Sequence, residues 1–250
     1  ESLKRNMNYQ SSNLRMFEFG NCYTYTKENH EDDNPLNAYR EAFHMGLWLT
    51  GKSVEGSWMH ADEESSFFQL KGYVEDILSR IGVNVAFLKM ENESNEIFSS
   101  SIVLIDRGGK TVCRMGVVNK SQTEKLDISA PVYFAELNWT ELMHDCRKNH
   151  VIFHDISKFP AVSRDLALLL DNGVSFLQIE EVAYAAERKL LKKVELFDVY
   201  EGKNLPEGKK SYAVNFVLQD EGRTLNDKQI DKAMQNIIHN LQSKLDASLR

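Results

Sequence analysis

From residue 157 onward, short apolar runs with period-two alternation are separated by stretches of helical period. "DLALLL" (165–170), "VELFDVY" (194–200) and "SYAVNFVLQ" (211–219) read as strands, being short, apolar-rich and bounded by turn residues such as Asp171-Asn172-Gly173. A first helix is predicted from Ser175, which forms a capping box with Gln178. It carries Ile179, Val182, Ala183, Ala186 and Leu190 along one face. A second, from about Asn226, turns Ile230, Ala233, Met234, Ile237, Leu241 and Leu245 inward, and "SLR" leaves room for a short fourth strand. The order βαββαβ is that of a ferredoxin-like fold, in which two helices cover one face of an antiparallel sheet.

Alternation along these strands also assigns their faces. Leu166, Leu168, Leu170, Phe197, Val199, Tyr212, Val214, Phe216 and Leu218 belong under the helices. Asp165, Ala167, Leu169, Asp198, Tyr200, Ser211, Ala213, Asn215 and Val217 belong on the open face. Small residues around one tyrosine suit a flat ring, because a nucleobase stacks on the phenol while hydroxyls and amides meet its edges. A tyrosine at the edge of a solvated sheet fits the same pattern, and alternation does not choose between the two.

The first 150 residues mix strands and helices. "LRMFEFGNCY" (14–23) is strand-like, and "SIVLIDRGGKTVCRMGVV" (101–118) is a hairpin around Arg107-Gly108-Gly109-Lys110. "FFQLKGYVEDILSRIG" (67–82) reads as a helix with Val74, Ile77, Leu78 and Ile81 inward. "PVYFAELNWTEL" (131–142) reads as a strand entering a helix. "PLNAYREAFHMGLWLTG" (35–51), with Leu36, Tyr39, Phe43 and Leu47 near helical spacing and Gly51 after them, is also predicted to be a helix. The irregular "RKNHVIFHDISKFP" marks a boundary near 150–160, giving domains at 1–150 and 157–250.

Charge narrows the partners. The net charge is −7, yet residues 157–250 hold 14 basic and 14 acidic side chains, so the acidic excess lies in the first 156. Neither part is a basic magnet for nucleic acid, and any RNA contact must be local and shaped. No run approaches about 18 apolar residues, and Glu1-Ser2-Leu3-Lys4-Arg5 does not open a signal peptide, so a cytoplasmic setting is expected. The absent initiating Met points to a piece of a longer protein. Cys22, Cys113 and Cys146 form no CxxC pair, which argues against a disulfide framework or cysteine-rich zinc site.

Two motif matches lack their context. Gly46-Leu47-Trp48-Leu49-Thr50-Gly51-Lys52-Ser53 satisfies the P-loop expression, but the residues before it read as a helix rather than a strand and loop. His144, Cys146, His150 and His154 complete no zinc spacing and read as surface or interfacial residues, so no metal site is assigned. No catalytic nucleophile arrangement appears either.

The stretches "KFPAVSRDLALLLD", "VELFDVYEGKNLPEGKKSYAVNF", "RTLND" and the final "LR" resemble the ferredoxin-like anticodon-binding domain of the bacterial-type phenylalanyl-tRNA synthetase beta subunit family. "LRMFEFGNCY", "LTG" with Trp58, "FFQLKGYVEDIL" and "PVYFAELNWTEL" extend the resemblance over the first part. It implies an α+β chain in which an inactive class II synthetase-like antiparallel-sheet domain precedes the ferredoxin-like one. It also implies a C-terminal fragment of the beta subunit, without the editing and N-terminal tRNA-binding modules. The absence of any GxG, which a class II ATP site needs in its GxGxxxxR motif, agrees with a scaffold role. "CRMGVVNKSQ" departs from the family's glycine and His-Pro pattern after the central hairpin.

What the resemblance implies for function is a ligase subunit with no cofactor of its own. ATP and Mg2+ would serve the whole enzyme through the alpha subunit of a two-alpha, two-beta assembly, and tRNA for phenylalanine would be the nucleic-acid partner. The family's anticodon contacts carry over to Ala167, Tyr200 and Ser211, and Ser163-Arg164-Asp165 is expected to orient its strand. Rival readings are a stand-alone ferredoxin-like ligand-binding regulator and an active class II ligase in the first domain, which the missing GxG disfavours.

Overall fold

A computed structural model describes residues 1–26, 35–85, 88–146, 156–202 and 204–250. The chain divides into two compact units, Glu1–Ile152 and Phe153–Arg250. The first runs α1 (Ser2–Asn8), β1 (Leu14–Tyr25), a 3-10 turn (Pro35–Ala38), β2 (Tyr39–Thr50), β3 (Lys52–Val54), β4 (Glu63–Glu64) and α2 (Phe67–Arg80). It continues through β5 (Lys89–Glu93), β6 (Phe98–Ile105), β7 (Thr111–Val118), α3 (Lys120–Glu124), β8 (Val132–Asn138) and α4 (Trp139–Cys146). Six strands pair in the order β1-β2-β8-β7-β6-β5, all antiparallel.

Helix α2 starts where Ser66 Oγ accepts the Gln69 amide at 3.2 Å, and it ends before Gly82, whose φ of 80° only glycine adopts without strain. Its buried residues Leu70, Val74 and Leu78 meet Met45, Leu47, Leu49, Met115, Ala135 and Leu137 in one core, with Ile77 and Ile81 at its margin. The 101–118 hairpin turns through Gly109 at φ 81°, where Asp106 Oδ1 accepts the Lys110 amide at 2.7 Å.

The expected helix at 35–51 is instead the strand β2, paired with β1 and β8. Met45, Leu47 and Leu49 alternate into the core, while Trp48 on the opposite face stacks on Phe134 with centroids 5.0 Å apart. A strand with apolar side chains on both its faces loses its visible alternation, and the apolar positions then mimic helical spacing. Gly46 is required by this packing, because a Cβ there would lie 2.3 Å from the Trp48 ring. Gly51, at φ 76°, turns the chain into β3 rather than ending a helix. The P-loop reading therefore fails for a different reason from the one expected. The residues 46–50 are strand, a strand follows, and Lys52 Nζ pairs with Asp62 at 2.7 Å.

The second unit runs β9 (Val162–Asp171), α5 (Phe176–Ala186), β10 (Leu191–Tyr200), β11 (Lys209–Leu218), α6 (Asp227–Leu245) and β12 (Ser248–Leu249). The sheet order β10-β11-β9-β12 is that of the ferredoxin-like fold. Both helices open with capping boxes, Ser175 with Gln178 and Asn226 with Gln229. Ile179, Ala183, Ile230, Ala233, Met234, Ile237 and Leu241 bury against Leu168, Leu170, Val214, Phe216 and Leu218. Leu190 lies beyond α5 yet still packs on this core from its margin.

One face assignment changes. The ladder between β10 and β11 skips a residue between Leu196 and Asp198, so Phe197 occupies a bulge and is 60% exposed. Val199 opposes Tyr212 on the helix side but, on the edge strand, remains 48% exposed. Strand β9 also starts earlier than expected, with Ser163, Arg164 and Asp165 already paired to Val217, Phe216 and Asn215.

Candidate nucleic-acid interface

Residues opposed across an antiparallel ladder share a face, so the register fixes the open side of the second sheet row by row. In one row Tyr200 opposes Ser211, Ser211 opposes Leu169, and Leu169 opposes Ser248. In the next, Asp198 opposes Ala213 and Ala213 opposes Ala167, whose carbonyl accepts the Arg250 amide at 3.0 Å. Beyond these, Asn215 Nδ2 donates to Asp165 Oδ1 at 2.5 Å across β11 and β9. The polar entry of β9 thus stitches two strands, which is a structural job.

Ala167, Tyr200 and Ser211 therefore stand on one face of one sheet, on three adjacent strands. Tyr200 is 37% exposed and Ser211 only 6%, so the free surface offers a ring bordered by small residues more than a solvated hydroxyl. The ring is held from two sides. A Cβ at Gly202 would lie 2.6 Å from Tyr200 Oη, so the loop backbone passes directly against the phenol. From the opposite edge of the sheet, the Arg250 guanidinium reaches to 5.4 Å from the ring centroid, a cation–π contact.

Sequence reasoning missed Arg250. It stands just past a two-residue strand, and its relation to Tyr200 exists only once β12 has been placed beside β9. Strand spacing of about 4.8 Å leaves the edge strands roughly 14 Å apart, and the two side chains meet across that span, with the small Ala167 and Ala213 on the intervening strands. Large residues at those two positions would block that approach.

His144 is exposed on α4, and His150 and His154 lie outside the described residues. Cys113 is buried, and burial raises its thiol pKa far above the usual range, so it stays protonated and inert. No helix among the described residues is long and apolar enough to cross a membrane.

A family model described as "Phenylalanyl tRNA synthetase beta chain CLM domain" matches residues 1–139, and one described as "Ferredoxin-fold anticodon binding domain" matches 157–250. The chain belongs to the phenylalanyl-tRNA synthetase beta chain family. A phenylalanine–tRNA ligase beta subunit of Bacteroides fragilis is 51% identical over 250 residues, all of this chain and 30% of that protein. The Porphyromonas gingivalis subunit of the same name is 44% identical over the same span. The chain thus spans about a third of the length of these relatives. Among solved structures, a pyrrolysyl-tRNA synthetase from Desulfitobacterium hafniense is 17% identical, with a TM-score of 0.40 over 58% of this chain and 47% of its own, too distant to add to the assignment. With both units matched to synthetase-family domains, the stand-alone regulator has no support.

Proposed function

We propose that this chain contributes an anticodon-reading surface and a non-catalytic scaffold to a phenylalanine–tRNA ligase. The carrying observation is the row in which Tyr200 opposes Ser211 beside Ala167 and Ala213, on the open face of a domain from an anticodon-binding family. In this reading a base of the anticodon stacks on Tyr200, Ser211 bonds its edge once the ring or the arginine yields, and Ala167 leaves room for close approach. With 14 basic and 14 acidic side chains from residue 157 on, attraction of phosphates supplies little, so shape and stacking must supply the selectivity.

The scaffold role rests on the first unit. There is no GxG in the chain, and the open face of its six-stranded sheet holds stacked Trp48 and Phe134, with Glu18 and Glu136 in the row beside them. Without the glycine-rich motif that holds ATP, these residues are assigned no chemical step. Activation of phenylalanine belongs to an alpha partner. Edge strand β1 offers that partner a surface, since Phe17 is 68% exposed and Phe19 and Phe43 continue the apolar face beyond α2. Binding of tRNA carrying the phenylalanine anticodon, against the same tRNA with the anticodon exchanged, tests the reading; equal affinity would reject it.

A further inference from the structure

Three side chains with metal-binding atoms converge on the first unit's sheet, on the face opposite α2. Cys22 lies on β1, His44 on β2 and Glu136 on β8, three strands adjacent in the sheet. Cys22 opposes Ala42 and Gly46 opposes Glu136, so both stand two residues from His44 along β2 and share its face. One ligand atom from each lies within 4.8 Å of the other two. His44 Nδ1 stands 2.9 Å from Glu136 Oε1, and that nitrogen is shielded from solvent without an aligned hydrogen bond.

We propose that Cys22, His44 and Glu136 form a three-residue binding site for Zn2+. Thiolate, imidazole and carboxylate are zinc's ordinary ligands, at about 2.3, 2.0–2.1 and 2.0–2.2 Å. A tetrahedron with those bonds separates its donors by roughly 3.3–3.7 Å. The 4.8 Å spread closes, and the His44–Glu136 contact opens, by side-chain rotation. Binding releases the Cys22 thiol proton to water, and the resulting thiolate and the Glu136 carboxylate neutralise the dication. Arg40 and Arg114, which line an adjoining hollow of about 340 Å³ together with His44 and Glu136, therefore do not oppose it. Water from that hollow completes the fourth position. No sequence spacing announces such a site, because its ligands, at 22, 44 and 136, meet only through strand pairing. The ion would tie the edge strand β1 to β2 and β8.

The test uses the full chain, stripped of metal by a chelator and then titrated with Zn2+ against a competing indicator and, separately, with Co2+. Expected are one zinc per chain, a near-ultraviolet thiolate-to-cobalt charge-transfer band, and protection of Cys22 from alkylation by bound zinc. Cys22→Ser and His44→Ala should each weaken zinc binding about tenfold or more, and Cys22→Ser should abolish the band. Zinc uptake by the unmutated chain equal to that of the combined Cys22→Ser, His44→Ala variant, or no thiolate band, would overturn the site. So would a band that survives Cys22→Ser and disappears in Cys146→Ser. If a variant does not fold, alkylation of the unmutated chain still decides, since unchanged labelling of Cys22 with and without zinc rejects the proposal.

Discussion

The guanidinium of Arg250 lies 5.4 Å from the centre of the Tyr200 ring, although the two residues come from opposite edges of the four-stranded sheet. A partly exposed cation–π contact of this kind is worth about 0.5–1 kcal/mol, enough to orient a ring and too little to lock it. Tyr200 is thus held ready and remains displaceable.

Arg250→Ala should leave the fold intact and weaken tRNA binding, with the slope of log affinity against log salt falling by about one. A salt titration of both proteins reads this directly. An unchanged slope would mean that the guanidinium serves the ring alone and never meets phosphate.

Gly202→Ala should act on tRNA binding through Tyr200. The added methyl would lie 2.6 Å from Tyr200 Oη, and the ring must swing away to admit it. Binding should fall toward that of Tyr200→Ala, while urea denaturation changes by less than about 1 kcal/mol, as for other surface changes. Full affinity in Gly202→Ala would show that the ring's present position is unimportant.

Gly46→Ala probes the packing that hid β2 from sequence analysis. Its methyl would enter the Trp48 ring at 2.3 Å, an overpacking expected to cost about 1–3 kcal/mol. Thermal melting monitored through tryptophan fluorescence should report the loss in the first unit.

Asn226→Ala removes the side chain that accepts the Gln229 amide at 3.0 Å and opens the 19-residue α6. About 1 kcal/mol of stability should go with it. The corresponding loss at Ser175 should be similar, and equilibrium denaturation of each variant checks both.

Much of the second unit was legible because its signals are local. Ser175, Gln178 and Asn226 announce caps, and Leu168, Leu170, Val214 and Phe216 keep a strict two-residue period. Legibility failed where the period was broken or filled. The bulge at Phe197 shifts the alternation by one residue, which no composition rule reveals. The stretch from Tyr39 to Thr50 carries apolar residues on both faces, and its helical appearance comes from a strand that meets α2 on one face and sets Trp48 beside Phe134 of the neighbouring strand on the other. In the candidate interface, alternation alone put Ala167, Tyr200 and Ser211 on one side. Arg250 became visible only through strand pairing, since its partner stands 50 residues earlier in the chain.

The central claim is that this face reads an anticodon, and Tyr200→Ala tests it most directly. Measured on the chain assembled with its alpha partner, the substitution should weaken binding of the cognate tRNA by about 1–3 kcal/mol, roughly 5- to 150-fold. It should also narrow the preference over an anticodon-exchanged tRNA. Unchanged affinity and unchanged preference would contradict the account.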